Sequence, residues 1–166
     1  LAFNNSGATQ GVFRTNATVN DGEWHHVAAV VNGTSNVLQL LIDGEIQSGD
    51  VWDSTNFLIA DTPVTNDTTT FSYDPNIAGT DAFIGSSAGG GTFNFNGEIA
   101  DVRYWNTNRT EADIAADKDT QLAGNETNLI GYYKLDGDVT DSSVNTNDGT
   151  VTDAVFVDAR PIQLGE

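Results

Sequence analysis

Glycine preceded by asparagine or aspartate occurs at six places between residues 21 and 149, and short apolar runs flank several of these pairs. Such pairs favour tight turns, in which a residue adopts a positive backbone dihedral φ. Asp43-Gly44, for example, lies between the apolar run 37–42 and the short run 45–47, which is the pattern of a β-hairpin. The sequence therefore predicts an all-β fold, an antiparallel sandwich of many short strands.

The predicted elements follow this pattern from one end of the chain to the other. Two strands are expected within 1–19, and single strands over 23–31, 37–42, 45–47, 81–85, 129–135 and 151–157. One short helix is expected over 110–116, with Thr110 as its N-cap. Because 166 residues suffice for one core but not comfortably for two, we expect a single domain over 1–166.

The stretch 93–106 combines strand signals with an awkward carboxylate. Phe93 and Phe95 alternate with asparagines, which predicts a strand with one buried face, and a second apolar run follows the turn at 96–97. Asp101 lies inside this second run. A carboxylate among core residues is costly to bury unless a backbone donor, an arginine such as Arg103 or a metal ion binds it. The sequence leaves these three alternatives open.

The charge of the chain excludes several classes of partner. There are 24 acidic and 6 basic side chains, for a net charge of −18, which repels phosphate backbones and anionic lipid surfaces. We therefore expect no nucleic acid partner and no membrane insertion, the latter also because no apolar run reaches transmembrane length. Without cysteine the chain has no disulfide and no thiolate metal site. Since it begins at Leu1 without methionine, we expect it to be a piece of a larger protein.

Segment 49–80 is expected to be a long inserted loop, either functional or decorated with small strands of its own. Aromatic residues stand among its carboxylates. A flat apolar ring beside oxygen acceptors suits a sugar, which presents an apolar face and hydroxyl groups. The candidate ligand-binding residues are those that combine these properties: Trp52, Asp50, Asp53, Tyr73 and Asp74. The structural alternative is that the rings only fix the loop to the sandwich.

A second oxygen-rich loop follows the predicted strand 129–135. Calcium takes six to eight oxygen ligands, and a loop dense in Asp and Asn can supply them. The candidate ligands are its oxygen-bearing side chains: Asp136, Asp138, Asp141, Asn145, Asn147 and Asp148. The alternative is a surface loop held by hydrogen bonds between these side chains and the backbone. His25 and His26 point to opposite faces of a strand and are interpreted as structural.

No residue pattern supports catalysis. A glycosidase needs two carboxylates on one face, whereas Glu98 and Asp101, three apart in a predicted strand, face opposite ways. No histidine stands beside an evident serine nucleophile, so acyl transfer has no support either. We therefore expect no enzymatic activity.

Five segments carry a family resemblance: 21–33 (DGEWHHVAAVVNG), 38–45 (LQLLIDGE), 83–87 (FIGSS), 96–106 (NGEIADVRYWN) and 132–150 (YYKLDGDVTDSSVNTNDGT). In this order they resemble the laminin-G-like and pentraxin-like branch of the concanavalin A-like superfamily. The resemblance implies a jelly-roll sandwich with calcium and ligand sites on loops at the sheet rims, and it implies that Asp101 binds a structural calcium ion. The chain departs from the family in lacking the opening strands before Leu1 and in the length of segment 49–80.

These observations predict a non-catalytic, calcium-stabilised binding module of a secreted or cell-surface protein, such as a bacterial adhesin. The expected partners are a cell-surface glycan or glycoprotein and other domains of the same multidomain protein. Two alternatives remain. One is a structural spacer or split scaffold that carries an inserted ligand-binding domain, and the other is a glucanase-type glycoside hydrolase.

Overall fold

The computed structural model describes residues 2–3, 11–15, 17–32, 37–52, 57–62, 82–86 and 94–157. The elements in chain order are β1 (Ala2–Phe3), β2 (Gly11–Thr15), β3 (Val27–Asn32), β4 (Val37–Ile42), β5 (Glu45–Ile46), β6 (Gly49–Trp52), β7 (Phe57–Thr62), β8 (Val102–Trp105), α1 (Glu111–Asp117) and β9 (Leu129–Tyr133). They belong to two compact units, residues 1–75 with 108–120 and residues 76–107 with 121–166. The single domain predicted over 1–166 stays a prediction.

The first unit contains two antiparallel sheets. Strands β1, β2, β6 and β7 are hydrogen-bonded in that order in one sheet, and β3, β4 and β5 form the other. The turn between β4 and β5 is Asp43-Gly44, whose φ angles are 53° and 88°. Both values lie in the left-handed region that Gly and Asp tolerate. The hairpin predicted at this pair is confirmed.

Helix α1 of the same unit begins at the predicted cap. The Thr110 hydroxyl accepts a hydrogen bond from the Asp113 N–H at 3.1 Å, and the Asp113 carboxylate accepts one from the Thr110 N–H at 3.2 Å. This reciprocal capping box satisfies two backbone donors that a helix start leaves unpaired. Ile114 is the buried side chain of the helix and shares a core with Val30 and Leu41. The sequence prediction of this helix and its N-cap is confirmed.

The second unit is built around the antiparallel pair β8 and β9. The pairing runs from Val102 opposite Tyr133 to Trp105 opposite Leu129, with a register shift beside Trp105. Tyr132 and Leu129 point into a small core that also contains Leu122, and Trp105 packs against it. Tyr132 is fully buried. One face of this two-stranded ribbon therefore closes over the second core.

Three predicted strands differ from the structure. The strand expected over 23–31 begins only at Val27, because side chains of the preceding residues bind each other and the β4–β5 turn instead of a neighbouring strand. In the region predicted as strand 81–85, the described pairing is an isolated bridge between Ser86 and Asn94. Residues 151–157 are all exposed and form no strand. Val151, Val155 and Val157 favour a strand, but this segment pairs with no strand among the residues that the structure describes.

The interpretation of 93–106 as two buried strands is partly wrong. Phe95 is 59% exposed, and its ring lies over the turn, where a Cβ added at Gly97 would meet it at 2.8 Å. Asp101 precedes β8 and has a φ of 55°, so neither it nor Glu98 lies in a strand. The premise that these two carboxylates alternate along a strand is therefore wrong. Phe93 lies outside the described residues.

Candidate functional site

The β6–β7 hairpin contains part of the predicted ligand-binding set. Asp50 and Trp52 belong to β6, which pairs with β2 on one side and β7 on the other. The last described pair of the hairpin joins Trp52 to Phe57. Segment 49–80 is thus not simply a loop, since it starts with two strands of a four-stranded sheet. Asp53, Tyr73 and Asp74 lie outside the described residues.

The hairpin is irregular at Asp50. Gly49 pairs with Thr62 and Val51 with Leu58, so two steps along β6 correspond to four steps along β7. Extra residues in one strand of an antiparallel pair bend it and change the direction of its side chains, and such irregularities are frequent beside binding sites. The extra residues here belong to β7, and of the five predicted ligand-binding residues Asp50 and Trp52 lie in β6, at and beside this irregularity.

The second candidate site, loop 136–148, is organised around Asp141. This residue is 3% exposed, and its Oδ1 accepts hydrogen bonds from the N–H groups of Tyr132 and Ser143, both at 2.9 Å. Its Oδ2 accepts a third from the N–H of Asn147 at 2.9 Å. Burial acts to raise the pKa of Asp141, but the three backbone donors outweigh it and hold the pKa below its ordinary value. A single carboxylate thus binds strand β9 to both parts of the loop.

Other predicted calcium ligands of this loop also form hydrogen bonds with the backbone. The Asp148 carboxylate accepts from the Asp141 N–H, and the Asp138 carboxylate accepts from the Thr140 N–H, both at 2.9 Å. The Asn145 side-chain amide donates to the Ile130 carbonyl at 3.2 Å. Asp136 is exposed. These are the side chain–backbone bonds that the alternative interpretation of the loop predicts.

This arrangement does not fit a ready-made calcium site. Within the described ranges, no three Asp, Glu, His or Cys side chains come together closely enough to hold a metal ion. The Asp141 oxygens face N–H donors, which carry positive partial charge and take the place that a cation would need. Binding calcium here would require these hydrogen bonds to break. Calcium therefore stays a prediction that the geometry of this loop does not favour.

Asp101 forms an internal ion pair. Its Oδ1 accepts from Nε of Arg103, and its Oδ2 accepts from the Tyr132 hydroxyl at 3.0 Å. The Arg103 and Asp101 side chains are only 8% and 14% exposed. Burial, followed by the negative charge of Asp101, raises the pKa of Tyr132 to about 12. Of the three alternatives left open by the sequence, the described geometry shows the arginine, with the tyrosine as an additional donor.

The Asp101 carboxylate also ties β9 to the loop before it. The Tyr132 hydroxyl that donates to Asp101 accepts in turn from the Leu122 N–H at 3.3 Å. Arg103 lies over the same tyrosine ring, 5.7 Å from its centroid. The charge of Asp101 can be buried here because both of its carboxylate oxygens accept hydrogen bonds. Its geometry gives Asp101 a structural role.

A third cluster was not predicted. The imidazole of His25 lies between two carboxylates, with Nδ1 2.8 Å from Oδ2 of Asp43 and Nε2 3.0 Å from Oδ1 of Asp21. Oδ1 of Asp43 accepts from the His26 N–H at 2.9 Å. The sequence offered one signal, since Asp21 and Asp43 both stand in Asp-Gly turns at the same end of the β3–β4 pair. His25 and His26 both precede β3, so the premise that they point to opposite faces of a strand is wrong, and their structural interpretation stays a prediction.

Comparison with known proteins identifies the family. A laminin-G family model, described as the concanavalin A-like lectin/glucanases superfamily, matches residues 1–115. No curated protein and no solved structure matches the chain significantly. No helix in the described part of the chain is long and apolar enough to cross a membrane. The superfamily fold is an all-β jelly-roll sandwich, which agrees with the antiparallel sheets and the one short helix of the described residues. The chain therefore belongs to the concanavalin A-like lectin/glucanases superfamily, as a laminin-G-like domain.

Proposed function

We propose that this domain is a non-catalytic carbohydrate-binding module and that the end of the β6–β7 hairpin carries its sugar site. Membership of a lectin and glucanase superfamily supports a carbohydrate-binding or structural module. The observation that carries the proposal is the position of Asp50 and Trp52 in β6, at and beside the irregular pairing with β7; Asp53 is the next residue in the sequence. Tyr73 and Asp74 complete the proposed set from the sequence.

The residue types at this end match the chemistry of a sugar. An indole ring offers a flat apolar surface to the C–H face of a pyranose, and carboxylates accept hydrogen bonds from its hydroxyl groups. The net charge of −18 favours a neutral or cationic glycan over one rich in sulfate or uronic acid. We therefore expect neutral hexose or N-acetylhexosamine polymers to bind better than acidic ones.

The proposed setting is a cell surface. A module of this family would serve a large secreted or surface protein, such as a bacterial adhesin, by attaching it to a cell-surface glycan or glycoprotein. The proposed calcium ligands are the carboxylates of Asp50, Asp53 and Asp74, which the sequence places in segment 49–80. Loop 136–148 is less suitable because the Asp141 oxygens already accept hydrogen bonds from backbone N–H groups. Thermal denaturation with calcium and with EDTA tests this part, and equal melting temperatures would remove calcium from the account.

Binding to a glycan array tests the sugar part. The wild-type domain should bind one class of neutral glycan, and Trp52→Ala should lose most of that signal because the stacking surface is gone. Trp24→Ala is the matched control, since Trp24 is 41% exposed and lies outside the hairpin. A blank array with and without calcium would instead support a spacer or scaffold role. Release of reducing ends from β-glucans would overturn the non-catalytic assignment.

A further inference from the structure

The Asp21–His25–Asp43 cluster has a geometry that depends on the protonation of one ring. Each nitrogen of the His25 imidazole is within hydrogen-bond distance of a carboxylate oxygen, at 2.8 Å and 3.0 Å. An ionised carboxylate can only accept, so both ring nitrogens must donate. Only the imidazolium form has two N–H groups, because neutral imidazole keeps one nitrogen as an acceptor. The observed arrangement is therefore that of a charged histidine.

The cluster joins three parts of the first unit. Asp21 lies in the turn before β3 and also accepts from the Glu23 N–H at 3.0 Å. Asp43 lies in the β4–β5 turn, and its own N–H donates to the His26 carbonyl at 2.8 Å. That turn lies directly against α1, since a Cβ added at Gly44 would be 3.0 Å from the Ala115 Cβ. The turn that contains Asp43 is thus in direct contact with the helix.

The charged groups around His25 nearly all favour its proton. Asp43 and Asp21, in this order, raise the pKa of His25 through hydrogen bonds and charge, whereas partial burial opposes them. The side chain is 18% exposed, against 53% for Asp21 and 49% for Asp43. Lys118, the C-cap residue of α1, lowers the pKa of Asp43, after the larger effects of burial, which raises it, and of the His25 side chain and the His26 N–H, which lower it. Glu23 contributes a further acidic group in the loop.

We propose that His25 is a pH-sensitive clasp that holds the 20–26 loop against the β4–β5 turn when its ring is protonated and releases one carboxylate when the proton leaves. The released side is Asp21, because Asp43 keeps its second bond to the His26 N–H. Loss of the clasp loosens the 20–26 loop while the strand pairs of the sheet remain. This inference does not rest on the proposed sugar binding.

The direction of the pH effect follows from the raised pKa of His25. The clasp stabilises the fold fully below the pKa of an unfolded histidine, about 6.5, and this contribution is lost as the pH rises through the higher pKa of the folded state. The two aspartates behave in the opposite way, since their lowered pKa values preserve their contribution until the pH falls well into the acidic range. The clasp therefore stabilises the fold most in weakly acidic solution, above the pKa values of the two aspartates and below that of His25.

Titration of the histidine ring signals by NMR tests the clasp. We expect His25 to titrate above 6.5, with both ring nitrogens protonated below that pKa, and Asp21→Asn to bring its pKa down while the protein stays folded. The melting temperature of the wild type should fall between pH 6 and pH 9, and that of His25→Gln should change less over the same range.

Two results would overturn the inference. One is a His25 ring that titrates at or below 6.5, and the other is a pKa that Asp21→Asn leaves unchanged. Because Asp21 is exposed, this variant removes a carboxylate without opening a core, so a failure to fold is not expected. Amide exchange of residues 20–26 adds a second readout. Protection corrected for intrinsic exchange should drop several-fold above the His25 pKa in the wild type, and an unchanged protection would contradict loop release.

Discussion

Replacing Asp141 with alanine tests whether a carboxylate, rather than a metal ion, organises loop 136–148. The substitution removes the acceptor of three backbone N–H groups, those of Tyr132, Ser143 and Asn147. The first two bonds are buried and the third is partly buried. A buried donor left without an acceptor costs about 1–3 kcal/mol. Because the loop lies at the surface, where water can reach some of these donors, we expect a loss of about 3 kcal/mol.

Two further variants calibrate this expectation. Asp141→Asn keeps one oxygen, which can still accept from Tyr132 and Ser143, but turns an amide group towards the Asn147 N–H, and it should cost about half as much as alanine. Asp138→Ala removes a bond to the exposed Thr140 N–H, which water can replace, and should cost less than about 1 kcal/mol. The order of destabilisation is then Asp141→Ala, Asp141→Asn, Asp138→Ala.

Urea denaturation followed by tryptophan fluorescence at pH 7 measures these losses, and Trp105 reports on the affected core. Repeating the series in EDTA separates the carboxylate from a metal ion. If calcium held the loop, EDTA would weaken the wild type and bring it close to Asp141→Ala. Hydrogen bonding predicts an equal gap with and without EDTA. A loss below about 1 kcal/mol for Asp141→Ala, or one no larger than for Asp138→Ala, would refute the reasoning.

Three other predictions follow from the first unit and from the acidic groups. Thr110→Ala breaks the capping box and should cost about 1 kcal/mol of unfolding free energy, while Thr110→Ser should cost little. Gly44→Ala should destabilise the protein more than Gly22→Ala, because both glycines have a positive φ but only the Cβ added at Gly44 meets the helix. Thermal melting should show the larger loss for Gly44→Ala, and equal losses would refute the contact. Because the pKa values of Asp141 and Asp43 are lowered, their contribution to folding stability should be lost only when the pH falls below about 4. A melting temperature that already falls between pH 7 and pH 5 would contradict this.

Local signals in the sequence predicted the elements whose stability is local. The helix was predictable because Thr110 and Asp113 mark its first turn, and the Asp43-Gly44 hairpin because few residues tolerate a positive φ. The prediction of a strand over 151–157 was wrong because the valines of this segment show strand propensity but not whether a neighbouring strand is present. The position of Phe95 failed for a related reason, since alternation cannot tell a core from the surface of a turn.

In the candidate sites, too, contacts between nearby residues could be predicted from the sequence and contacts between distant residues could not. That Asp101 needed a partner followed from its apolar neighbours, and Arg103 two residues away was a visible choice. The Tyr132 hydroxyl, which donates to Asp101 from 31 residues away, could not be predicted from the sequence. The density of oxygen atoms in loop 136–148 suggested calcium, but it is the direction of the backbone N–H groups towards Asp141 that decides how the oxygens are used. The Asp21–His25–Asp43 cluster depends on strand register, which brings Asp43 beside His25 across 18 residues.

The indole N–H signals of the three tryptophans provide the most direct test of the proposed sugar site. Trp24, Trp52 and Trp105 give one signal each in a ¹⁵N-correlated NMR spectrum, and single substitutions assign them. During titration with the neutral glycan that binds best on the array, the account predicts that the Trp52 signal shifts and saturates while those of Trp24 and Trp105 stay in place. A Trp52 signal that does not move at saturating glycan, or a shift of Trp24 or Trp105 instead, would contradict it.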